Sequence, residues 1–353
     1  MSQDEALQVR TRFQAIVDFV RQHEVSDVSL LQDQVTARMD GRIIRLAEHG
    51  ALGVADVQAL IKALLLQSPL DPDRLRSQPG ALDFTALVCG KRFRANVAKA
   101  RGQLFASLRP LPDAVPEDPG QVGLPPKLVQ QIVDQLHGLV LVTGPTGSGK
   151  TTTIAALVEA VNRRRQAKII TIEDPIEFEF RPCQSEIIQR EVGLDTASYA
   201  SGLGEALRQN PDVIVLGEIR DAATALTALQ AAETGHLVLS CLHARSVVDT
   251  ISRYLLLGPP ERTPEMRHVL ARSLRVVINQ RLLRKRQGGR LAVREVLIQA
   301  PKVEAVILKG NEEELAGHLL ASRDLGMIDF QTALQQVQAQ LDPQEAARYR
   351  REG

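Results

Sequence analysis

Eight consecutive residues, Gly144-Pro145-Thr146-Gly147-Ser148-Gly149-Lys150-Thr151, carry the densest chemistry in the chain. They satisfy G-x-x-x-x-G-K-[ST] at each fixed position. Glycine lets the backbone turn tightly, so that successive N–H groups converge, and a phosphate is the anion such a concavity holds. Lys150 adds a cation within reach of the terminal phosphates of a nucleotide, and the Thr151 hydroxyl can reach a divalent cation beside them. Thr152 follows in the same first helical turn, whose positive dipole end adds to the attraction. The motif has meaning only between a strand and a helix. Residues 139–143 form a short apolar strand, and Ile154, Leu157, Val158 and Val161 mark one face of a helix. A glycine-rich turn that binds nothing would need neither.

Two acidic segments follow. Residues 169–172 read as a strand running into Glu173-Asp174-Pro175-Ile176-Glu177. Carboxylates at the carboxyl end of a parallel strand face the crevice where ligands bind, and they suit metal binding and water activation. A solvated acidic loop would account for the same residues. Val213-Ile214-Val215-Leu216-Gly217-Glu218 reads as a second strand with an acid at its tip. Such strands usually end in an Asp that holds Mg2+, so Glu218 is the candidate for that role here. Arg220 and Asp221 read equally well as a local pair at the next helix start. His236 and His243 bracket a further strand; seven positions apart, they span most of it and need not share a site.

These residues need a frame. From residue 139 to about 243 strands alternate with helices, which predicts crossover connections and a parallel sheet covered on both faces. Beyond about residue 259 the pattern turns mostly helical, with residues 276–283 and 291–298 set around Gly288 and Gly289. Upstream, Pro110, Pro112, Pro116, Pro119, Gly120, Gly123, Pro125 and Pro126 crowd into one stretch that neither helix nor central strand tolerates well. It predicts a linker over 113–122, between an N-terminal domain (1–112) and an ATPase domain (123–353). The N-terminal part reads as mixed α and β. Helices are expected over 6–21 and 52–66, and 84–88 and 93–97 are expected to form a hairpin.

A net charge of +1 in 353 residues gives no global pull toward nucleic acid or an anionic membrane. Aromatic residues make up only 3%, which argues against a base-stacking strand channel and so against a nucleic-acid translocase. Three scattered cysteines, Cys89, Cys183 and Cys241, exclude a disulfide framework and a four-cysteine zinc site. The polar, acidic start is unlike a signal peptide, and no apolar run approaches a membrane span; a cytoplasmic protein is expected.

Taken in order, the phosphate loop, TIEDPIEF, RQNPDVIVLGEIRD and AAETGHLVLSCLHA resemble the Walker A, aspartate, Walker B and histidine boxes of the secretion and pilus ATPase superfamily. The similarity runs over nearly the whole chain, including Arg92-Phe93-Arg94 and Leu325-Gly326-Met327, and is strongest to the type IV pilus retraction ATPases. The resemblance implies an α/β fold: a PAS-like N-terminal domain and a RecA-like P-loop ATPase domain with a parallel sheet and a helical C-terminal part. It also implies ATP and Mg2+ as ligands and a homohexameric ring acting at the inner face of the cytoplasmic membrane. Its partners would be an inner-membrane pilus platform protein and a second retraction ATPase. Carried over by position, residues 144–152 bind the phosphates, and Thr151 and Glu218 hold Mg2+. Glu177 orients or deprotonates water, His236 and His243 link the site to the cleft between domains, and Arg94 and Arg109 face the phosphates. Pilus retraction, and with it twitching motility, is the implied function. Pilus assembly or type II secretion is the alternative within the class, and a nucleotide-binding regulator that does not hydrolyse is a rival outside it.

The chain also departs from the pattern. Ser240-Cys241-Leu242-His243-Ala244-Arg245 stands where the family usually has Thr-Leu-His-Thr. Residues 302–309, KVEAVILK, replace the retraction motif AIRNLIRE and lie closer to an accessory retraction enzyme. Neither departure touches the phosphate loop.

Overall fold

A computed structural model describes residues 3–31, 34–39, 42–46, 54–68 and 80–351. Two compact units emerge: Met1–Ala114 with Pro175–Phe178, and Val115–Asp174 with Glu179–Gly353.

The first unit is built from α1 (Gln3–Gln22), β1 (Val25–Leu31), β2 (Gln34–Met39), β3 (Arg42–Arg45), α2 (Val54–Leu65), β4 (Ala81–Val88), β5 (Lys91–Ala100) and β6 (Gln103–Pro110). Its strands form one antiparallel sheet in the order β3-β2-β1-β6-β5-β4. Along β5 burial alternates residue by residue, the signature of a sheet with one face on a core and one in solvent. That core holds Phe84, Phe93, Ala95 and Val97 from the sheet. Val9, Phe13, Ile16, Val17 and Val20 of α1 and Val57, Leu60, Ile61 and Leu64 of α2 complete it. The expected hairpin is present with longer strands. Its reversal is two residues, Cys89 and Gly90, both at positive φ, the turn geometry that matches strand twist. The helix read over 52–66 is observed as α2, with residues 52 and 53 outside the described residues.

The second unit contains α3 (Pro126–Val133), β7 (Gly138–Thr143), α4 (Lys150–Arg164), β8 (Lys168–Glu173), β9 (Glu186–Glu191), α5 (Tyr199–Ala206) and β10 (Val213–Leu216). It continues through α6 (Ala222–Glu233), β11 (Leu237–Leu242), α7 (Val247–Leu256), α8 (Thr263–Ser273), β12 (Leu274–Arg284) and β13 (Arg290–Ile298). The helices α9 (Pro301–Lys309), α10 (Leu315–Ala321), α11 (Phe330–Val337) and α12 (Pro343–Arg351) close the chain. The sheet order is β13-β12-β7-β11-β10-β8-β9. Every residue of β7, β10 and β11 is buried, as in a sheet with helices on both faces. Alternation along β7 divides the two cores. Leu139 and Leu141 face one cluster with α5, α6, α7 and α8, whereas Val140 and Val142 face another with α3 and α4.

One expectation is corrected. The sheet is parallel from β12 through β9, but β13 runs antiparallel to β12. Beyond residue 259 helices prevail, as expected, while residues 274–298 form a long hairpin. The reversal at Gly288 and Gly289, both at positive φ, returns the chain directly beside β12 and leaves no room for a crossover. Within the predicted linker stretch, Asp113 pairs with Lys91 at 2.8 Å in the first unit. In the second, Pro119–Val122 forms a 3-10 turn capped by the Asp118 carboxylate. No helix among the described residues is long and apolar enough to cross a membrane.

Candidate active site

Parallel pairing places the carboxyl ends of β7, β8, β10 and β11 along one edge of the sheet, since Leu216 is level with Ile172 and Ser240, and Leu242 with Thr143. The loop 144–149 and His243 follow directly from these ends, Glu173 is the last residue of β8 with Asp174 after it, and Glu218 stands two residues beyond β10. Open α/β sheets bind their ligands along this edge.

The phosphate loop runs from Thr143 into α4, whose N-cap is Gly149 in the left-handed region. Gly144 has φ 140°, and a Cβ there would collide with the Gln280 carbonyl oxygen and lie 2.7 Å from Ser148 Oγ. No side chain fits, so the glycine is required by the backing strand as well as by the loop's own turn. Lys150 Nζ donates to the carbonyls of Gly144 (3.1 Å) and Pro145 (3.0 Å), which folds the ammonium over the loop. Ser148 is buried, and its Oγ finds no hydrogen-bond partner among the described residues. A buried hydroxyl without a partner costs stability. Beside a cradle of N–H groups and a lysine, a phosphate oxygen is the partner it suits. Thr151 and Thr152 lie half-buried in the first turn.

Glu218 is engaged from two sides. Arg220 pairs with its Oε1, and His243 Nε2 lies 3.6 Å from its Oε2, a contact too long for a hydrogen bond. Burial and then the nearby Lys150 ammonium push His243 below the usual histidine range, against the opposing pull of Glu218. The imidazole is thus held neutral at pH 7. The Arg220 guanidinium is raised, first by its bond to Glu218, and stays charged. Tyr199 packs behind these groups. A Cβ at Gly217 would sit 2.8 Å from its hydroxyl, which explains why glycine precedes the acid here. Burial, then Asp174 and Glu218, raise the Tyr199 phenol, so it remains protonated. Glu173 is buried and accepts from Thr171 Oγ1 (2.6 Å) and Gln189 Nε2 (3.2 Å).

The structure therefore brings Lys150, Thr151, Glu218 and His243 to one edge. His236 lies at the other end of β11, about 20 Å away along six residues of strand. There its Nδ1 is 3.0 Å from the Ala231 carbonyl at the end of α6. Within one chain it is not part of this cluster. Glu177, Arg94 and Arg109 belong to the first unit. Arg92 donates to the carbonyls of Ile176 (2.6 Å) and Glu177 (3.2 Å), which fixes the backbone that carries the Glu177 side chain. Arg94 and Arg109 are cross-strand neighbours on the outer face of the sheet. Each has a carboxylate beside it, Asp83 at 3.5 Å and Asp27 at 3.1 Å. Among the described residues no three His, Cys, Asp or Glu side chains cluster as a metal cage. A Mg2+ site needs none, because that ion keeps waters and binds through one or two protein groups and the substrate's phosphates.

Three residues near the loop escaped sequence reasoning. Gln280 and Thr153 are buried and joined at 2.9 Å, and Gln280 Nε2 donates to the Ser148 carbonyl at 2.6 Å. Tyr199 is the third. A mid-strand glutamine or a helix-start tyrosine gives no local signal of such contacts.

The family model described as Type II/IV secretion system protein matches residues 116–341. The protein YggR of Escherichia coli (strain K12) is 38% identical over 322 residues, 91% of this chain and 96% of that protein. The type IV pilus retraction ATPase PilT of Pseudomonas aeruginosa is 39% identical over 246 residues, 69% of this chain and 71% of its own. A type II secretion system protein E of Klebsiella pneumoniae is 43% identical, but over 46% of this chain and 32% of its own. The crystal structure of the pilus retraction motor PilT with bound ADP superposes with a TM-score of 0.83 at 38% identity, covering 94% of each chain.

Proposed function

We infer the function from one premise: the chain belongs to the Type II/IV secretion system protein family. It is an ATPase of that family. The reading we favour is a Mg2+-dependent ring of six copies that drives retraction of a type IV pilus-like fibre. It would act on a platform protein at the inner face of the cytoplasmic membrane, beside a second retraction ATPase. The observation that carries this reading is the correspondence to an ADP-bound retraction motor over 94% of both chains.

In this reading the loop N–H groups, Ser148, Lys150 and Thr152 hold the phosphates of ATP, and Thr151 and Glu218 hold Mg2+. The metal, when bound, neutralises charge on the phosphates. Glu177 takes a proton from water as the water oxygen bonds to the γ-phosphorus. The bond from that phosphorus to the β–γ bridging oxygen breaks, leaving ADP and inorganic phosphate. Arg220 pairs with the Glu218 carboxylate, and neutral His243 lies beside it. Arg94 and Arg109, two adjacent cations of the first unit, would offset charge at the transferring phosphoryl group. Positioning and charge stabilisation, more than covalent chemistry, lower the barrier.

Two outcomes follow. EDTA in excess abolishes phosphate release by the purified chain and added Mg2+ restores it; turnover that persists in EDTA contradicts the metal's role. Deleting the gene in its source organism raises the number of pili per cell, counted by electron microscopy. Loss of pili would instead assign the chain to assembly.

A further inference from the structure

Behind the phosphate loop lies a buried polar network that the reaction itself does not use. Gln280 on β12 and Arg294 on β13 face each other in register across the hairpin. They are 1% and 7% exposed, and Thr153, one turn into α4, is 1% exposed. Gln280 uses both ends of its amide. Nε2 donates to the Ser148 carbonyl at 2.6 Å, and Oε1 accepts from Thr153 Oγ1 at 2.9 Å and from Arg294 Nε at 3.2 Å. The remaining guanidinium nitrogens turn the other way. Nη2 donates to the Val122 carbonyl at 2.6 Å and Nη1 to the Gly123 carbonyl at 3.0 Å. Those two carbonyls end the 3-10 turn Pro119–Val122, the first ordered element of the second unit and the segment by which the chain enters it.

We propose that Gln280 and Arg294 are positioning residues that lock the phosphate loop to this entry segment, so that phosphate occupancy at Ser148 is felt at Val122 and Gly123. The proposal rests on the nucleotide-site reading above. Three features carry it. First, the path is continuous: each link from Ser148 through Gln280 and Arg294 to Val122 is a hydrogen bond, and each side chain in it is buried. Such a network moves as a unit or breaks at a cost. Second, Arg294 has neutral partners only, although a buried guanidinium normally takes a carboxylate. Its burial without an anion pulls its pKa down to about 10. An anion held in the adjacent loop would supply the missing charge. Third, one link bonds the loop directly, since Gln280 holds the carbonyl of Ser148, the residue whose hydroxyl lacks a partner among the described residues. Val122 is the last residue of the linker stretch, so the lock ends shortly after the chain passes from one unit to the other between Ala114 and Val115.

Gln280→Glu tests this without emptying the core. A carboxylate of the same shape keeps the acceptor for Thr153 and gives Arg294 a charged partner, so the fold is retained. It removes the donor to Ser148 and places a negative charge behind the loop. The full chain, wild type and variant, is titrated with a fluorescent ADP analogue, and backbone amide exchange at Gln121, Gly123 and Leu124 is followed with and without ADP. The expected result is a thermal midpoint equal to or above wild type, affinity lower by at least about tenfold, and ADP-induced slowing of these three amides in the wild type alone. Gln280→Asn, which retains the amide one methylene shorter, falls between the two. The proposal is overturned if Gln280→Glu binds ADP as wild type does, or if ADP slows the three amides equally in both. A wild-type chain that binds no ADP sinks the nucleotide-site reading itself, and the lock with it.

Discussion

Lys150→Ala lowers ATP turnover to roughly a thousandth of the wild-type rate, the upper range for removing one preorganised charged donor from a developing oxyanion. Lys150 supplies the side-chain cation of the 144–151 motif. Its ammonium already hydrogen-bonds the loop's own carbonyls, so it stands at the mouth of the cradle. Alanine suits a helix start and strains nothing, so the variant folds. Two readouts move together: phosphate release falls and the Kd for ATP rises, because the lysine meets charge both in the bound ground state and in the transition state. His243 gives a third. With the Lys150 ammonium gone, one of the two main causes of its lowered pKa disappears, and its titration moves up toward the ordinary value, measurable by NMR. A variant that released phosphate near the wild-type rate would remove the phosphate loop from the account.

Glu177→Gln and Glu218→Gln separate holding ATP from cleaving it. Each keeps size and removes one negative charge. Turnover falls at least about a hundredfold in both, the scale of a lost general base or an equivalent electrostatic group. ATP affinity stays within a few-fold of wild type, since the loop, Lys150 and Thr151 are untouched. The two variants differ in what else they disturb. Glu218 pairs with Arg220 and faces His243, so its amide leaves a cation without its partner beside the site. Glu177 sits on a backbone that Arg92 pins through two carbonyls, and the amide changes no part of that clamp. The Glu177 variant is therefore the cleaner probe of chemistry.

The residues that sequence reasoning found share a physical origin. A loop that must close on phosphate needs glycine at fixed spacing, and Gly144 shows why, with a backbone carbonyl of β12 where a Cβ would stand. The strands β7, β10 and β11 are buried on both faces and so appear as unbroken apolar runs. What the sequence concealed is what forms across long separations. β9, EIIQRE, lies at the sheet edge half-buried and alternates too weakly to announce itself. The hairpin of β12 and β13 was visible as two apolar segments about a glycine turn, yet nothing local says that β12 inserts beside β7. Gln280 and Arg294 read as ordinary polar positions, because their partners in the loop and the entry segment lie more than a hundred residues upstream. The two histidines illustrate the middle case. Strand geometry puts seven positions at opposite ends, and the structure gives one of them to Glu218 and the other to the end of α6.

The most direct test is a single-turnover experiment on the full-length chain. Wild type and Glu177→Gln, each in excess over γ-labelled ATP with Mg2+, are quenched over time, and bound ATP is separated from released phosphate. The expected result is that both chains capture the nucleotide and that only the wild type cleaves it, with the label in the variant remaining on ATP at least about a hundred times longer. Label released from Glu177→Gln at the wild-type rate would contradict it, and the group that activates water would have to be sought elsewhere.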